Sequence, residues 1–265
     1  MTLHQRTYLD NAATSWPKPD SVYQAVDRYQ RHIGASPARG VYAEARAADE
    51  EVEAARRAVA EFVGAECPEQ IVFTLNCSDA LNMAIHGLLQ PGDHVVTSVV
   101  DHNSVLRPLR WLERRLGIKI TRVSCDGEGI IDPQDVAGAL RDNTRLVALV
   151  HASNVTGALQ PIAEVGRLVS GHDALLLVDA AQSAGHLAIT VDHLGVDLLA
   201  APGHKGFLGP LGTGLLYIRG GVENQLESFR QGGTGTRSDL DIQPDELPHK
   251  YEPGNHNVPG ICGLR

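Results

Sequence analysis

Apolar positions fall into two patterns that alternate along the chain. Between Ala45 and Val63, Val52, Ala55, Val59 and Phe62 recur at helical spacing with no internal glycine or proline, which predicts an amphipathic helix over 45–63. Short apolar, β-branched runs follow, at Gln70–Leu75, His94–Val100, Lys119–Val123, Arg145–Val150, Ala174–Val178 and Asp197–Ala200. Between them lie helical stretches at 78–89, 104–116, 133–141 and 161–170. Strands that are apolar nearly throughout are buried on both faces, and strands alternating with helices build a mainly parallel sheet with helices on either side. The expected class is therefore α/β. No internal repeat or linker interrupts the pattern before about residue 220, so one domain covers most of the chain. Beyond Arg219 the pattern reads as loop, with Gly232-Gly-Thr-Gly235 and Pro253-Gly-Asn-His-Asn-Val-Pro-Gly260.

Composition narrows the function classes. With 43% hydrophobic residues, 27 glycines and 14 prolines in 265 residues, the chain is of the globular type, neither disordered nor fibrous. Its net charge of −9 is spread without a basic block, which argues against nucleic acid as a partner. No apolar run is long enough to cross a bilayer, and Met1–Tyr8 has no apolar core of the kind a secretory leader needs. The cysteines at 67, 77, 125 and 262 form no C-x-x-C pair, so neither a metal site nor a disulfide framework is expected, and a reducing cytoplasm is the expected compartment.

In open α/β sheets ligands bind beyond the carboxyl ends of the strands, so the residues that follow each apolar run are the candidates. They are Asn76-Cys77-Ser78, Asp101-His102-Asn103, His151-Ala-Ser153-Asn154, Asp179-Ala-Ala-Gln182 and Gly203-His204-Lys205-Gly206, and the topology predicts one shared rim. Lys205, between glycines past a strand, can reach inward, lose solvent and form Schiff bases; the plain alternative is a surface lysine in a turn. It does not fit a Walker loop, because Gly206 and Phe207 follow it. Asp179 closes an apolar strand, where a carboxylate needs a cation or hydrogen bonds; a ring cation at about 4 Å would supply roughly 4 kcal/mol at an effective dielectric near 20. Ser78 opens a helix and can seat a phosphate or simply cap. His102 can stack on a flat ring or shuttle a proton, and Asn154 and Gln182 are neutral hydrogen-bonders; each is equally compatible with an ordinary loop role. A nicotinamide site is disfavoured because the turn Leu75-Asn-Cys-Ser78 lacks Gly-x-Gly-x-x-Gly.

Five segments also carry a family resemblance: Tyr8-Leu-Asp-Asn-Ala-Ala-Thr-Ser15, Asp101-His-Asn-Ser104, His151-Ala-Ser-Asn-Val-Thr-Gly157, Val178-Asp-Ala-Ala-Gln182 and Gly203-His-Lys205. In this order they resemble the motifs of cysteine desulfurases and selenocysteine lyases, of the class V aminotransferase group, from about Tyr8 to Leu264. The resemblance implies a fold type I α/β domain with a mainly parallel, seven-stranded-type sheet and the cofactor pyridoxal 5'-phosphate. It implies that Lys205 holds the cofactor and takes part in proton transfer, that Asp179 pairs with the ring nitrogen, and that Gln182 bonds the ring hydroxyl oxygen. His102 would stack on the ring and move protons, while Cys77, Ser78 and His204 would seat the phosphate. Asn154 would face the substrate and ring, with Ala13 on the substrate side. Gly233-Thr234 resembles a stretch that reaches the phosphate of a neighbouring subunit, which implies a homodimer. The implied reaction takes sulfur from L-cysteine, leaving L-alanine and an enzyme persulfide for a sulfur-acceptor protein.

Three departures stand out. Pro202 replaces a residue that usually donates a hydroxyl to the phosphate, and Cys77 stands where Thr is frequent; each missing charge-assisted bond is worth about 1.5–3 kcal/mol. Relatives continue past Gly260-Ile-Cys-Gly-Leu264 into a small domain of about a hundred residues. That part carries the persulfide cysteine and a carboxylate-binding arginine, and none of the four cysteines is a good substitute. The expected organisation is a segment 1–15, a large cofactor domain 16–250 and the start of a truncated small domain at 251–265, with impaired turnover. The alternatives are selenocysteine lyase, another β-lyase or aminotransferase and, from another class, a non-catalytic cofactor-binding remnant.

Overall fold

The computed structural model describes residues 7–38, 40–237 and 239–265; the start of the segment 1–15, including most of the stretch on which the absence of a leader rests, lies outside them. Seven strands form one sheet: β1 (Ile71–Thr74), β2 (His94–Ser98), β3 (Lys119–Val123), β4 (Thr144–Val150), β5 (Leu175–Asp179), β6 (Leu198–Pro202) and β7 (Gly214–Ile218). Their order is β1-β7-β6-β5-β4-β2-β3. Strands β2 to β6 pair in parallel, whereas β7 runs antiparallel to both β6 and β1. The sheet is thus mixed, mainly parallel, and bears out the expected class.

Strand β7 is absent from the expected elements, and its direction has a simple cause. The connection from Pro202 to Gly214 carries no helix, and without a crossover the chain returns beside β6 in the opposite sense. That connection contains Lys205. Because β1 is antiparallel to β7, it points the same way as the five parallel strands, and all six carboxyl ends share one edge.

Helices α2 (Ala43–Val63), α3 (Cys77–Leu88), α4 (Asn103–Leu116), α5 (Pro133–Ala139) and α6 (Ile162–Val169) match the expected positions within a few residues. Helices α1 (Asp20–His32), α7 (Val191–Leu194) and α8 (Val258–Leu264) were not foreseen; α8 lies in the stretch that reads as loop. Sheet residues alternate between two cores. Leu176 and Val178 join α2, α5, α6 and α8 on one face, and Leu175 and Leu177 join α3 and α4 on the other. Each buried aliphatic side chain contributes roughly 1.5–3 kcal/mol of transfer energy, so a sheet covered on both faces carries most of the fold's stability. Among the described residues no helix is long and apolar enough to cross a membrane.

Behind β1 the C-terminal segment is tied to the core by a buried ion pair. Arg56 of α2 donates to both carboxylate oxygens of Glu252, at 2.8 and 2.9 Å, and Glu252 also accepts the Phe73 N–H at 2.6 Å. Helix, strand and C-terminal segment meet at this one carboxylate.

Candidate active site

The carboxyl edge opens into a cavity of about 590 Å³. Lys205, Asp179, His102, Gln182, Asn154 and His204 line it, together with Cys77, Ser78 and Pro202. The shared rim expected from the topology is therefore present. Ala13 and Thr234 do not line it. Ala13 is exposed in the turn 10–14, while Thr234 lies behind β1 in a small cleft with Arg56 and Glu252, its hydroxyl 3.0 Å from that of Thr236. The candidate Asn76 lines it too, and Leu75, Ser104, Leu211 and Gly212 line the cavity without having been given a site role. Leu211 and Gly212 belong to the β6–β7 connection, whose signal was the short apolar run Gly214–Ile218 right after a glycine-rich loop.

Local sequence explains why these groups converge. Asn76 ends the turn after β1 and caps α3 by accepting the Asp79 N–H at 2.9 Å, which leaves the first-turn N–H groups of Cys77 and Ser78 without partners inside the helix. His102 caps α4 in the same way, its Nδ1 accepting the Ser104 N–H at 3.1 Å. A neutral ring then carries its proton on Nε2. The two helix N-termini are bridged by a hydrogen bond between the Ser78 and Ser104 hydroxyls. Two positive helix ends at one cavity favour an anion there.

The loop that carries Lys205 is set by glycines. A Cβ on Gly206 would lie 2.2 Å from the Ala184 carbonyl oxygen, and one on Gly185, at φ +86°, would lie 2.2 Å from the Gly206 carbonyl carbon. Only backbone fits where these two turns cross. Lys205 leaves this packed turn half-buried. Its neighbour His204 is tied to the N-terminal segment through Thr14, whose hydroxyl lies 3.1 Å from Nδ1. Burial first, then the charges of Lys205 and Lys18, lower the His204 pKa.

Two buried aspartates at the edge differ. Asp101 accepts from the Thr97 hydroxyl, the Ser98 N–H and hydroxyl, and the Val150 N–H, so it locks the turn after β2 to β4; burial still pushes its pKa up to about 6. Asp179 accepts only the Ala181 N–H at 2.9 Å and the Cys77 thiol at 3.4 Å, and burial raises its pKa. The Cys77 thiol is itself pushed well above its ordinary range, by burial and then by the Asp179 charge, so it is a neutral donor and no thiolate. Burial likewise pushes Cys262 up to about 11. Gln182 donates to the Ala12 carbonyl at 3.0 Å, joining the N-terminal segment to the rim.

One cavity thus brings together an amine, an under-bonded buried carboxylate and two helix N-termini. A probable cysteine desulfurase of Methanothermobacter thermautotrophicus is 40% identical over 99% of this chain and 66% of that protein. The cysteine desulfurase IscS of Dictyoglomus turgidum is 36% identical over 99% of this chain and 63% of its own length. Among solved structures, the apo cysteine desulfurase of Thermococcus onnurineus NA1 superposes with a TM-score of 0.89 at 38% identity, covering 97% of this chain and 65% of that one. SspA in complex with cysteine gives 0.86 at 32% identity, over 98% and 71%. The chain thus spans less than two thirds of the length of the curated relatives it matches first. The family model for aminotransferase class-V matches residues 7–265, nearly the whole chain, and the chain belongs to that family.

Proposed function

We propose that this chain is the cofactor-binding part of a pyridoxal-phosphate enzyme of the cysteine desulfurase type. The observation that carries the reading is the meeting of Lys205, Asp179 and the N-terminus of α3 in one cavity of about 590 Å³. The donor set fits the cofactor group by group. Lys205 offers an amine for its aldehyde, Asp179 a carboxylate for its ring cation, and the Cys77 and Ser78 N–H groups with the Ser78 hydroxyl an anion seat for its phosphate. Gln182, 3.0 Å from the Ala12 carbonyl, supports a ring oxygen, and His102 has its ring free to stack.

When bound, pyridoxal phosphate supplies an electron sink for a substrate that loses its Cα proton. The chain's residues do the rest. Asp179, whose burial favours any cation that arrives, holds a positive charge beside it. Lys205 Nζ would take the Cα proton, and His102 Nε2, lining the same cavity, would move a second proton. In the full reaction L-cysteine and a thiol give L-alanine and a persulfide, the sulfur leaving the substrate β-carbon for the thiol. The raised pKa values of Cys77 and Cys262 argue against either as that thiol, and Cys67 and Cys125 do not line the cavity, so the reading assigns it to no cysteine of this chain and expects weak desulfurase turnover from these residues alone.

The substrate follows from the relatives' names and from SspA in complex with cysteine. Asn154, which lines the cavity, is assigned to the substrate and ring side. Ala13 is kept on the substrate side, beside the Ala12–Gln182 bond. Thr234, remote from the cavity of its own chain, is assigned to the phosphate of a second copy, which makes the working form a homodimer. A sulfur-acceptor protein completes the cycle. The four cysteines are free thiols, in keeping with a reducing cytoplasm.

The test is the near-ultraviolet and visible absorbance of the purified chain with added pyridoxal phosphate, beside Lys205→Ala. A band in the wild type that the variant lacks supports the reading. No band in either protein would overturn it in favour of an inactive remnant.

A further inference from the structure

The carbonyl oxygen of His204 is crowded with donors. It accepts from the Ser15 N–H at 3.1 Å, the Thr14 hydroxyl at 3.1 Å, the Ser15 hydroxyl at 3.0 Å and the Lys18 ammonium at 2.8 Å. A carbonyl oxygen has two lone pairs, so four donors are twice its ordinary complement. All four come from one five-residue stretch, and the next residue after this carbonyl is Lys205.

The stretch is braced for the purpose. The Tyr8 hydroxyl lies 2.9 Å from the Thr14 carbonyl, Asn11 accepts the Trp16 N–H at 3.2 Å, and the Lys18 N–H donates to the Tyr23 hydroxyl at 3.2 Å. Lys18 also donates to the Ser15 hydroxyl at 2.6 Å, and that hydroxyl passes its own proton to the His204 carbonyl. A half-buried ammonium spent on a carbonyl and a hydroxyl is unusual, because such a charge normally finds a carboxylate. Here the charges facing the His204 ring are Lys18 and Lys205, both positive. The Thr14 hydroxyl donates to the carbonyl and so accepts from Nδ1 of the same residue, which fixes the ring's orientation as well.

We propose that Lys18 is a positioning residue. Through Ser15 and the His204 carbonyl its ammonium fixes the turn from which Lys205 enters the cavity, and it adds positive charge to a site built for an anion. The importance of Lys205 in this proposal rests on the cofactor reading above; the clamp on His204 does not.

The test compares Lys18→Met, which keeps the bulk but removes the charge and donors, with Lys18→Arg, which restores both. Two measurements are made on the full chain. In cofactor-free protein, nuclear magnetic resonance follows the His204 imidazole through its titration. With added pyridoxal phosphate, the absorbance band is titrated with cofactor and then with pH. The expected result for Lys18→Met is a His204 midpoint higher by about half a pH unit or more, because one of two facing cations is gone. Cofactor affinity falls about tenfold and the pH midpoint of the band moves, while Lys18→Arg recovers most of each change. Urea unfolding of each variant separates these effects from a general loss of fold. Lys18→Met with both midpoints and the affinity unchanged would overturn the proposal, and so would equal losses in Lys18→Met and Lys18→Arg. Should the wild type form no band, the cofactor reading fails, and the His204 titration alone still decides for or against the clamp.

Discussion

Glu252 and Asp179 are both buried carboxylates beside the same sheet, and their surroundings are opposite. Glu252 is closed off by the chain itself: two bonds from Arg56, one from the Phe73 N–H and one from the His256 ring at 3.2 Å. Burial alone would raise its pKa, but Arg56 and then His256 outweigh that and bring it down to about 2. Asp179 has one N–H and one weak thiol donor, and its pKa goes up. The difference separates two uses of a buried charge. A saturated carboxylate has its charge compensated within the fold, whereas an under-bonded one at a cavity has acceptor capacity left over.

The largest effect that would break this contrast is at the saturated end. Glu252→Ala strands the Arg56 guanidinium in the core, and urea unfolding should show a loss of about 3–5 kcal/mol. A loss under about 1 kcal/mol would mean that the pair is not an anchor. The pH dependence sharpens the same point. The Glu252 pKa lies below its ordinary 4.5, so its contribution is full above that pH and is lost as pH falls toward about 2. The shift corresponds to about 3 kcal/mol, and Glu252→Gln should flatten the acid limb of a stability–pH curve by that order.

Asp179 carries the opposite sign. A raised carboxyl pKa costs the folded state at neutral pH and is relieved on protonation. Without cofactor, Asp179→Asn should therefore unfold in urea no more easily than the wild type at neutral pH. With cofactor it should lose the equivalent of about 1.5–3 kcal/mol in affinity, measured by absorbance titration. A variant that lost fold stability and kept affinity would place Asp179 with Glu252. The smallest effect is at Cys77, 3.4 Å from Asp179. A hydroxyl is the better donor, so Cys77→Ser should change cofactor affinity by only about threefold in the same titration.

Much of this was legible in the sequence because strands buried on both faces and their polar termini leave strong local signals. The runs at 94–100, 119–123 and 174–178 became strands β2, β3 and β5, and His102 after the first and Asp179 after the last line the cavity at the predicted edge. Strand β7 was missed because five residues, Gly214–Ile218, follow a glycine-rich loop with no helix between, and nothing local gives a strand's direction. Helix α1 does carry a signal in Val22, Val26 and Tyr29, but only Tyr29 is buried, so its apolar stripe is thin. The roles of Asp101 and Lys18 were not legible at all. Each depends on backbone groups distant in sequence, the Val150 N–H for one and the His204 carbonyl for the other. The saturation of Glu252 by Arg56, 196 positions away, was equally hidden.

The central claim is that the carboxyl edge holds an aldehyde cofactor on one particular amine. The chain has four lysines, Lys18, Lys119, Lys205 and Lys250, so the claim can be tested at residue level. The protein would be incubated with limiting pyridoxal phosphate, reduced with borohydride to fix any imine, digested and analysed by peptide mass spectrometry. The account predicts the label on the Lys205 peptide with the other three lysines essentially bare. Label spread over all four, or concentrated on Lys18, would contradict it.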